Sequence, residues 1–202
     1  YAEVRRWGWM GDHESQVNLQ PEPNDWIFSW SAMPPDHCVV ELELELASDH
    51  LERPEVGTAG ADGSIWLPAH QARTVGTRLR FEPQPHKNTV GYWTDATDHA
   101  AWTFQVDRPG HFAVAILQGC GAGQGGSDAE ITVSRDATAV AQLPFQVEET
   151  GHFQNFRWRT IGQLELKSAG PHELKLSAIK IANAALVDVR AIHLVRQATA
   201  EK

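Results

Sequence analysis

The chain has 202 residues, enough for one large or two small domains that bury a substantial core without metal or disulfide staples. A formal charge of -9 with only 17 Lys+Arg argues against a nucleic-acid binder that works by neutralising phosphates, and no apolar run approaches the ~20 residues that span a bilayer. The chain opens at Tyr1 with no basic, hydrophobic, small-residue leader, so a processed protein or a piece of a longer one is expected; its expected location is extracellular or periplasmic.

Residues 1–35 hold several Trp and Pro and no sustained period, although Trp26, Phe28 and Trp30 alternate as in a short strand. A clear strand follows: Cys38, Val40, Leu42, Leu44 and Leu46 face one way, and Glu41, Glu43 and Glu45 face water. That acidic row is a solvated face, not a catalytic cluster. The strand over 37–46 has no obvious sheet partner in residues 1–35. Cys38 and Cys120 match no metal-ligand spacing; they either pair in an exported protein or stand as two thiols. Residues 47–63 lose periodicity and gain Gly, Pro and acid, which places the boundary between an N-terminal segment, 1–60, and a main domain, 61–202.

Beyond the boundary the pattern is strongly β. Strands are expected at Ile65 to Leu67, Thr77 to Phe81, Ala100 to Val106, His111 to Leu117, Ala129 to Ser134, Gln142 to Val147, Ile161 to Lys167, Glu173 to Ile179 and Leu186 to Val195. No amphipathic helix, heptad or tandem repeat interrupts them. Many short strands with Gly/Pro turns predict an all-β fold, an antiparallel β-sandwich of the jelly-roll, galactose-binding-like kind. Trp102, Phe104 and Val106, then Phe112, Val114 and Ile116, bracket Arg108-Pro109-Gly110-His111, which suits a type II turn and predicts a hairpin. An aromatic and acidic loop in front (Tyr92, Trp93, Asp95, Asp98) and a Gly-rich loop behind (Gly119 to Gly126) then lie at one end, where sandwiches carry ligand sites.

A sugar offers a flat patch of C–H bonds flanked by hydroxyls, so its binders combine an aromatic platform with Asp, Asn, Gln or Glu. Tyr92-Trp93-Thr94-Asp95 qualifies, and so does Thr150 to Trp158, with His152, Phe153, Gln154, Asn155, Phe156, Arg157 and Trp158 in close succession. In the second stretch the aromatics equally well seal the sandwich while Gln154 and Asn155 tie down loop backbone. The Gly-rich stretch lacks the Lys-Ser/Thr and helix of a phosphate loop; Gln118 or Gln124 is its candidate for ligand contact. The histidines stand singly, with no HxH or HExxH, so no metal is expected. Asp95 and Asp98 are a conceivable carboxylate pair, but three residues apart on one loop they better suit loop backbone or a sugar hydroxyl, and no GxSxG elbow is present. Asp188, between Val187 and Val189, is expected to be buried beside Arg190 or a backbone donor, for stability.

The run IWLPAHQA, then GYWTDATDHAAWTFQVDRPGHFAVAI, then LVDVRAIHLV, resembles the β-sandwich carbohydrate-binding modules of the family-6 and family-35 type. EPQPHKNTVGYWT, LQGCGAGQGGS and VEETGHFQNFRWRTIG resemble the C-terminal modules of bacterial sulfatases and α-L-fucosidases, and DHCVVELELEL looks like the closing strand of the small β-domain of such fucosidases. The likeness covers roughly residues 64–197. It implies sugar contacts from the first-loop aromatic, Tyr92 or Trp93, with Asp95 nearby. Family-6 modules often hold a structural calcium with carboxylates of the opening strand; here Leu67-Pro68-Ala69-His70 stands instead, so no cofactor is expected and calcium is disfavoured.

The expectation is a non-catalytic, exported accessory module that binds a glycan through Tyr92, Trp93, Asp95, Gln118, His152, Phe153, Gln154 and Asn155, beside a catalytic domain or subunit that degrades polysaccharide. Two other readings stand. One is the C-terminal part of a glycoside hydrolase or sulfatase with its catalytic residues upstream, which the unpartnered strand 37–46 favours. The other is a structural or adhesion subunit whose exposed tryptophans form a protein interface.

Overall fold

The computed structural model describes residues 2–9, 17–21, 26–30, 40–46 and 56–197. The chain divides into two compact units, Tyr1–Arg53 and Pro54–Lys202. In the first unit, β1 (Ala2–Trp9) pairs antiparallel with β4 (Val40–Leu46) in a register running from Ala2↔Leu46 to Trp9↔Val40. The second pair, β2 (Val17–Pro21) and β3 (Trp26–Trp30), is also antiparallel. The acidic strand therefore has its partner within residues 1–35, against expectation. A register shift between Val4 and Arg6 breaks the alternation that would have announced β1. Cys38 lies outside the described residues.

The second unit holds β5 (Ile65–Pro68), β6 (Arg73–Val75), β7 (Arg80–Glu82), β8 (Thr89–Gly91), β9 (His99–Val106), β10 (Gly110–Cys120), β11 (Asp128–Arg135), β12 (Thr138–Gln146), β13 (His152–Leu166), β14 (Gly170–Lys180) and β15 (Asp188–Arg196). They form two antiparallel sheets. One has six strands in the order β13-β10-β15-β8-β7 with β5 also on β15; the other has five, β12-β11-β14-β9-β6. Alternate residues of both sheets turn inward, and Ile65, Leu67, Trp102, Phe104, Phe112, Val114, Ile116, Ile131, Leu174, Leu176, Ile192 and Leu194 are all buried in one core. Each such side chain stabilises the fold by ~1.5–3 kcal/mol. This is the antiparallel β-sandwich expected from the strand pattern.

The expected hairpin is not there. β9 pairs with β14 and β6, whereas β10 pairs with β13 and β15, so the Asp107–Pro109 connection crosses from one sheet to the other. Both strands carry a core face, and that alternation is the same whether neighbours pair side by side or face each other across the core. The stretch Thr150 to Trp158, read as a loop, runs from residue 152 onward as the first half of β13. Thr77 to Leu79 is not strand: Asp98 holds its backbone instead, through Thr77 N, Arg78 N and Leu79 N at 2.8–2.9 Å. Cys120 is a free, fully buried thiol, and burial, then Glu149 and Asp188, push it up to about 11.

Candidate functional site

Strand register builds the site. Val189 of β15 sits opposite Val90 of β8, and Phe81 of β7 is opposite Val90 on its other side. Val90 and Val189 enter the core. The alternate residues Arg80, Glu82, Thr89, Gly91 and Asp188 therefore share the outer face of the six-stranded sheet. A cleft of about 330 Å³ opens there, lined by Glu82, Lys87, Tyr92, Trp93, Thr94, His152, Phe153, Gln154, Ala185 and Asp188.

Its far wall comes from a bulge. Between the pairs Gln118↔Arg157 and Cys120↔His152 the register shifts, leaving surplus residues on β13. Such a bulge re-aims side chains, and here it presents Phe153 and Gln154 to the cleft. Gly119 makes it possible: a Cβ there would lie 1.9 Å from the Phe153 carbonyl oxygen. His152 accepts the Gln154 N–H on Nδ1 at 3.0 Å, which leaves Nε2 for a ligand.

Tyr92 is the aromatic platform. It takes a left-handed backbone with φ of 62° and stands half exposed, at 50%. The Arg80 guanidinium lies over its ring, 3.7 Å from the centroid, so a ligand would use the opposite face. Trp93 cannot share that role. It is 1% exposed, and its Nε1 donates to the Asp98 carbonyl at 3.2 Å; it belongs to the core and shows the cleft only an edge.

The cleft floor carries two carboxyl groups. Glu82 is 6% and Asp188 8% exposed. Lys87 Nζ donates to Glu82 Oε1 at 2.9 Å, with Arg80 3.9 Å from the same oxygen. Glu82 Oε2 and the Asp188 carboxyl have no hydrogen-bond donor among the described residues. Gly91 gives them room: a Cβ there would meet Asp188 Oδ1 at 2.7 Å and Glu82 Oε2 at 3.1 Å. Burial pushes the Asp188 carboxyl up to about 7; the neighbouring Glu82 charge adds to this and Lys87 opposes it. Asp188 was expected to be buried beside Arg190 or a backbone donor, and it is buried. That guanidinium instead donates to the carbonyls of Lys87 and His86 and lies over the Phe156 ring at 3.9 Å.

Of the residues proposed from sequence, Tyr92, Trp93, His152, Phe153 and Gln154 line the cleft, and three do not. Asp95 Oδ1 accepts from Thr97 N at 2.9 Å and Thr97 Oγ1 at 2.7 Å, so it closes its own turn. Gln118 is fully buried and donates to the Glu148 carbonyl at 2.7 Å. Asn155 donates to the Thr150 carbonyl, as the loop-tying alternative had it. Gln124 accepts from Ala184 N and Ala185 N, which fixes the loop before Asp188. Asp98 is fully buried; burial pulls its carboxyl up, but the Leu79, Thr77 and Arg78 amides outweigh this and hold it below the ordinary carboxylate range. Among the described residues no three His, Cys, Asp or Glu gather as a metal site, and no helix is long and apolar enough to cross a membrane.

A second aromatic group lies on the same outer face. Trp66 and Trp158, each 47% exposed, have ring centroids 5.4 Å apart, and His193 is 5.3 Å from Trp66. Trp158 thus faces solvent and does not seal the sandwich.

No protein-family model and no curated protein matches the chain. Solved structures share its fold. A family 35 carbohydrate-binding module from Clostridium thermocellum aligns with a TM-score of 0.52 and 15% identity over 66% of this chain and 98% of its own. The C-terminal family 6 module of a marine laminarinase from Zobellia galactanivorans aligns with a TM-score of 0.51 and 18% identity over 66% of this chain and 99% of its own. The alignment with the β-(1,4)-mannanase of Podospora anserina, which joins a family 26 hydrolase to a family 35 module, has a TM-score of 0.49 and 15% identity; it covers 69% of this chain but 29% of that enzyme. The chain thus spans under a third of the mannanase's length. At these identities the likeness establishes the β-sandwich fold.

Proposed function

We propose that the second unit is a non-catalytic carbohydrate-binding module whose cleft seats one end of a glycan. The observation that carries this reading is the cleft itself. It joins a half-exposed aromatic ring, Tyr92, to two carboxyl groups on the cleft floor, Asp188 and Glu82, whose free oxygens face the cleft. Carboxylate oxygens that open into a cleft accept from whatever occupies it, water or a ligand's donors. A sugar hydroxyl supplies them, and the ring's C–H face supplies the stacking surface. The fold shared with family 35 and family 6 modules supports the assignment. Single-site affinity on so small a surface is modest, and such a module acts by raising the local concentration of an attached catalytic domain at its polysaccharide. We place it in an exported enzyme of the sulfatase or α-L-fucosidase kind, as the resemblance of EPQPHKNTVGYWT and VEETGHFQNFRWRTIG suggests.

The test is an affinity-gel and glycan-array screen of the full chain with Tyr92→Ala alongside. Binding that falls at least tenfold in a folded Tyr92→Ala protein supports the cleft. Unchanged binding in that variant, or no binding of any glycan by the parent chain, refutes it. A protein interface is a second reading, favoured by the exposed Trp66 and Trp158 pair. A stable oligomer that dissociates in the Trp66→Ala, Trp158→Ala double variant would establish it.

A further inference from the structure

The Glu82–Asp188 pair goes further than accepting hydroxyls, because its charges are unevenly matched. Lys87 Nζ is committed to Glu82 Oε1 at 2.9 Å, and the Arg80 guanidinium is laid over Tyr92 with one nitrogen 3.9 Å from that same oxygen. Both cations therefore sit on one side of Glu82. Asp188, 8% exposed, has no donor from any described residue, and Arg190, its neighbour on β15, is turned to the backbone of His86 and Lys87. On the opposite wall the titratable group is His152, whose Nδ1 already accepts a backbone N–H. The space beside Asp188 and Glu82 Oε2 is thus rich in acceptors, and among the described residues the cations nearest it, Lys87 and Arg80, lie on the Glu82 Oε1 side.

We propose that Glu82 and Asp188 make the cleft a charge filter: it takes sugar rings that bring hydroxyl or ammonium donors and rejects rings that carry a carboxylate or sulfate where they seat. The inference rests on the glycan-binding reading above and narrows its substrate class to neutral and amino sugars. Physically, a ligand carboxylate or sulfate placed against a buried carboxyl loses hydration and finds a like charge, whereas an ammonium meets two acceptors in a region of low dielectric. Burial, with the Glu82 charge adding to it, raises the titration of Asp188 and makes the discrimination pH-dependent. Below about pH 7 Asp188 carries its proton and the repulsion is that of Glu82 alone; above it, both groups repel an anion. If the parent enzyme acts on sulfated polymers, the module would seat an unsulfated residue of the chain.

The experiment is an NMR titration of the full chain with the methyl β-glycosides of glucose, glucosamine and glucuronate, and with the matching galactose series, at pH 6 and pH 8. The backbone amides of Tyr92, Phe153 and Gln154, residues that line the cleft, serve as reporters. The expected order within a series is amino sugar tightest, neutral sugar next, uronate weakest. The amino sugar leads the uronate at least tenfold at pH 6, and the uronate's deficit relative to the neutral sugar widens at pH 8. Asp188→Asn narrows the spread, and Asp188→Asn with Glu82→Gln removes it. Neutral sugar bound without a charge preference, or uronate bound as well as neutral sugar, overturns the filter and leaves the glycan-binding reading in place. Failure of every sugar in both series overturns both. Should the double variant fail to fold, the order in the parent chain decides alone.

Discussion

Replacing Asp188 by Asn tests the buried pair through stability, independent of any ligand. In the unfolded chain an aspartate titrates near ~3.9, whereas the folded environment moves Asp188 to about 7. Between those values the folded state keeps a proton that the unfolded state has released, so stability falls as pH rises from ~4 to ~7 and is then level. Each unit corresponds to about 1.4 kcal/mol, and about three units amount to ~4 kcal/mol of destabilisation by the upper end of the range. Asn keeps the side chain's shape and never ionises. The stability difference, Asp188→Asn minus parent, is therefore expected to grow by about 3 kcal/mol in favour of the variant between pH 4.5 and pH 8.5. Urea unfolding followed by fluorescence of the buried Trp93 and Trp102 at a series of pH values measures it. A difference that stays constant with pH, or one that turns against the variant at pH 8.5, would mean that Asp188 is ionised and paired in the folded protein, and the reasoning would fail.

Other outcomes follow from the same geometry. Gly91→Ala puts a Cβ 2.7 Å from Asp188 Oδ1; sugar binding is expected to drop at least tenfold by calorimetry, with a stability cost of ~1–3 kcal/mol from overpacking. Asp98→Ala strips three backbone amides of their acceptor and is expected to cost ~2–4 kcal/mol, because the Leu79 N–H is buried while the other two are partly hydrated. Since the Asp98 carboxyl is held below its ordinary range, its contribution is present above ~pH 4 and fades as pH falls; in acid titrations the Asp98→Ala protein should therefore lose less stability than the parent. Cys120, buried with its thiol pushed up to about 11, should react with a thiol reagent at pH 8 only on the timescale of unfolding, and denaturant should speed this labelling.

The strands could be read because period-two alternation records which residues meet the core. Alternation does not record which sheet a strand joins, and for that reason Trp102–Val106 and Phe112–Ile116 were expected as partners although they face each other across the core. The first half of β13 escaped because its bulge disturbs the alternation where Phe153 and Gln154 turn into the cleft. Aromatic and amide density marked Tyr92 and the 152–154 segment as site material. The same rule also drew in Trp93, Asp95, Gln118 and Asn155, residues of the same types that serve core or loop backbone. Glu82 and Asp188 stand in the sequence as single acids between apolar neighbours, with nothing to join them. Only the pairing of β8 with both β7 and β15 brings them together, across Gly91.

On the proposed reading a glycan seats in the cleft at Tyr92 and the Glu82–Asp188 pair. Chemical-shift mapping of the isotope-labelled full chain with β-glucan and mannan oligosaccharides tests it most directly. The largest shifts are expected on Glu82, Tyr92 to Thr94, His152 to Gln154 and Asp188. Shifts centred instead on Trp66, Trp158 and His193, with the cleft unmoved, would contradict it.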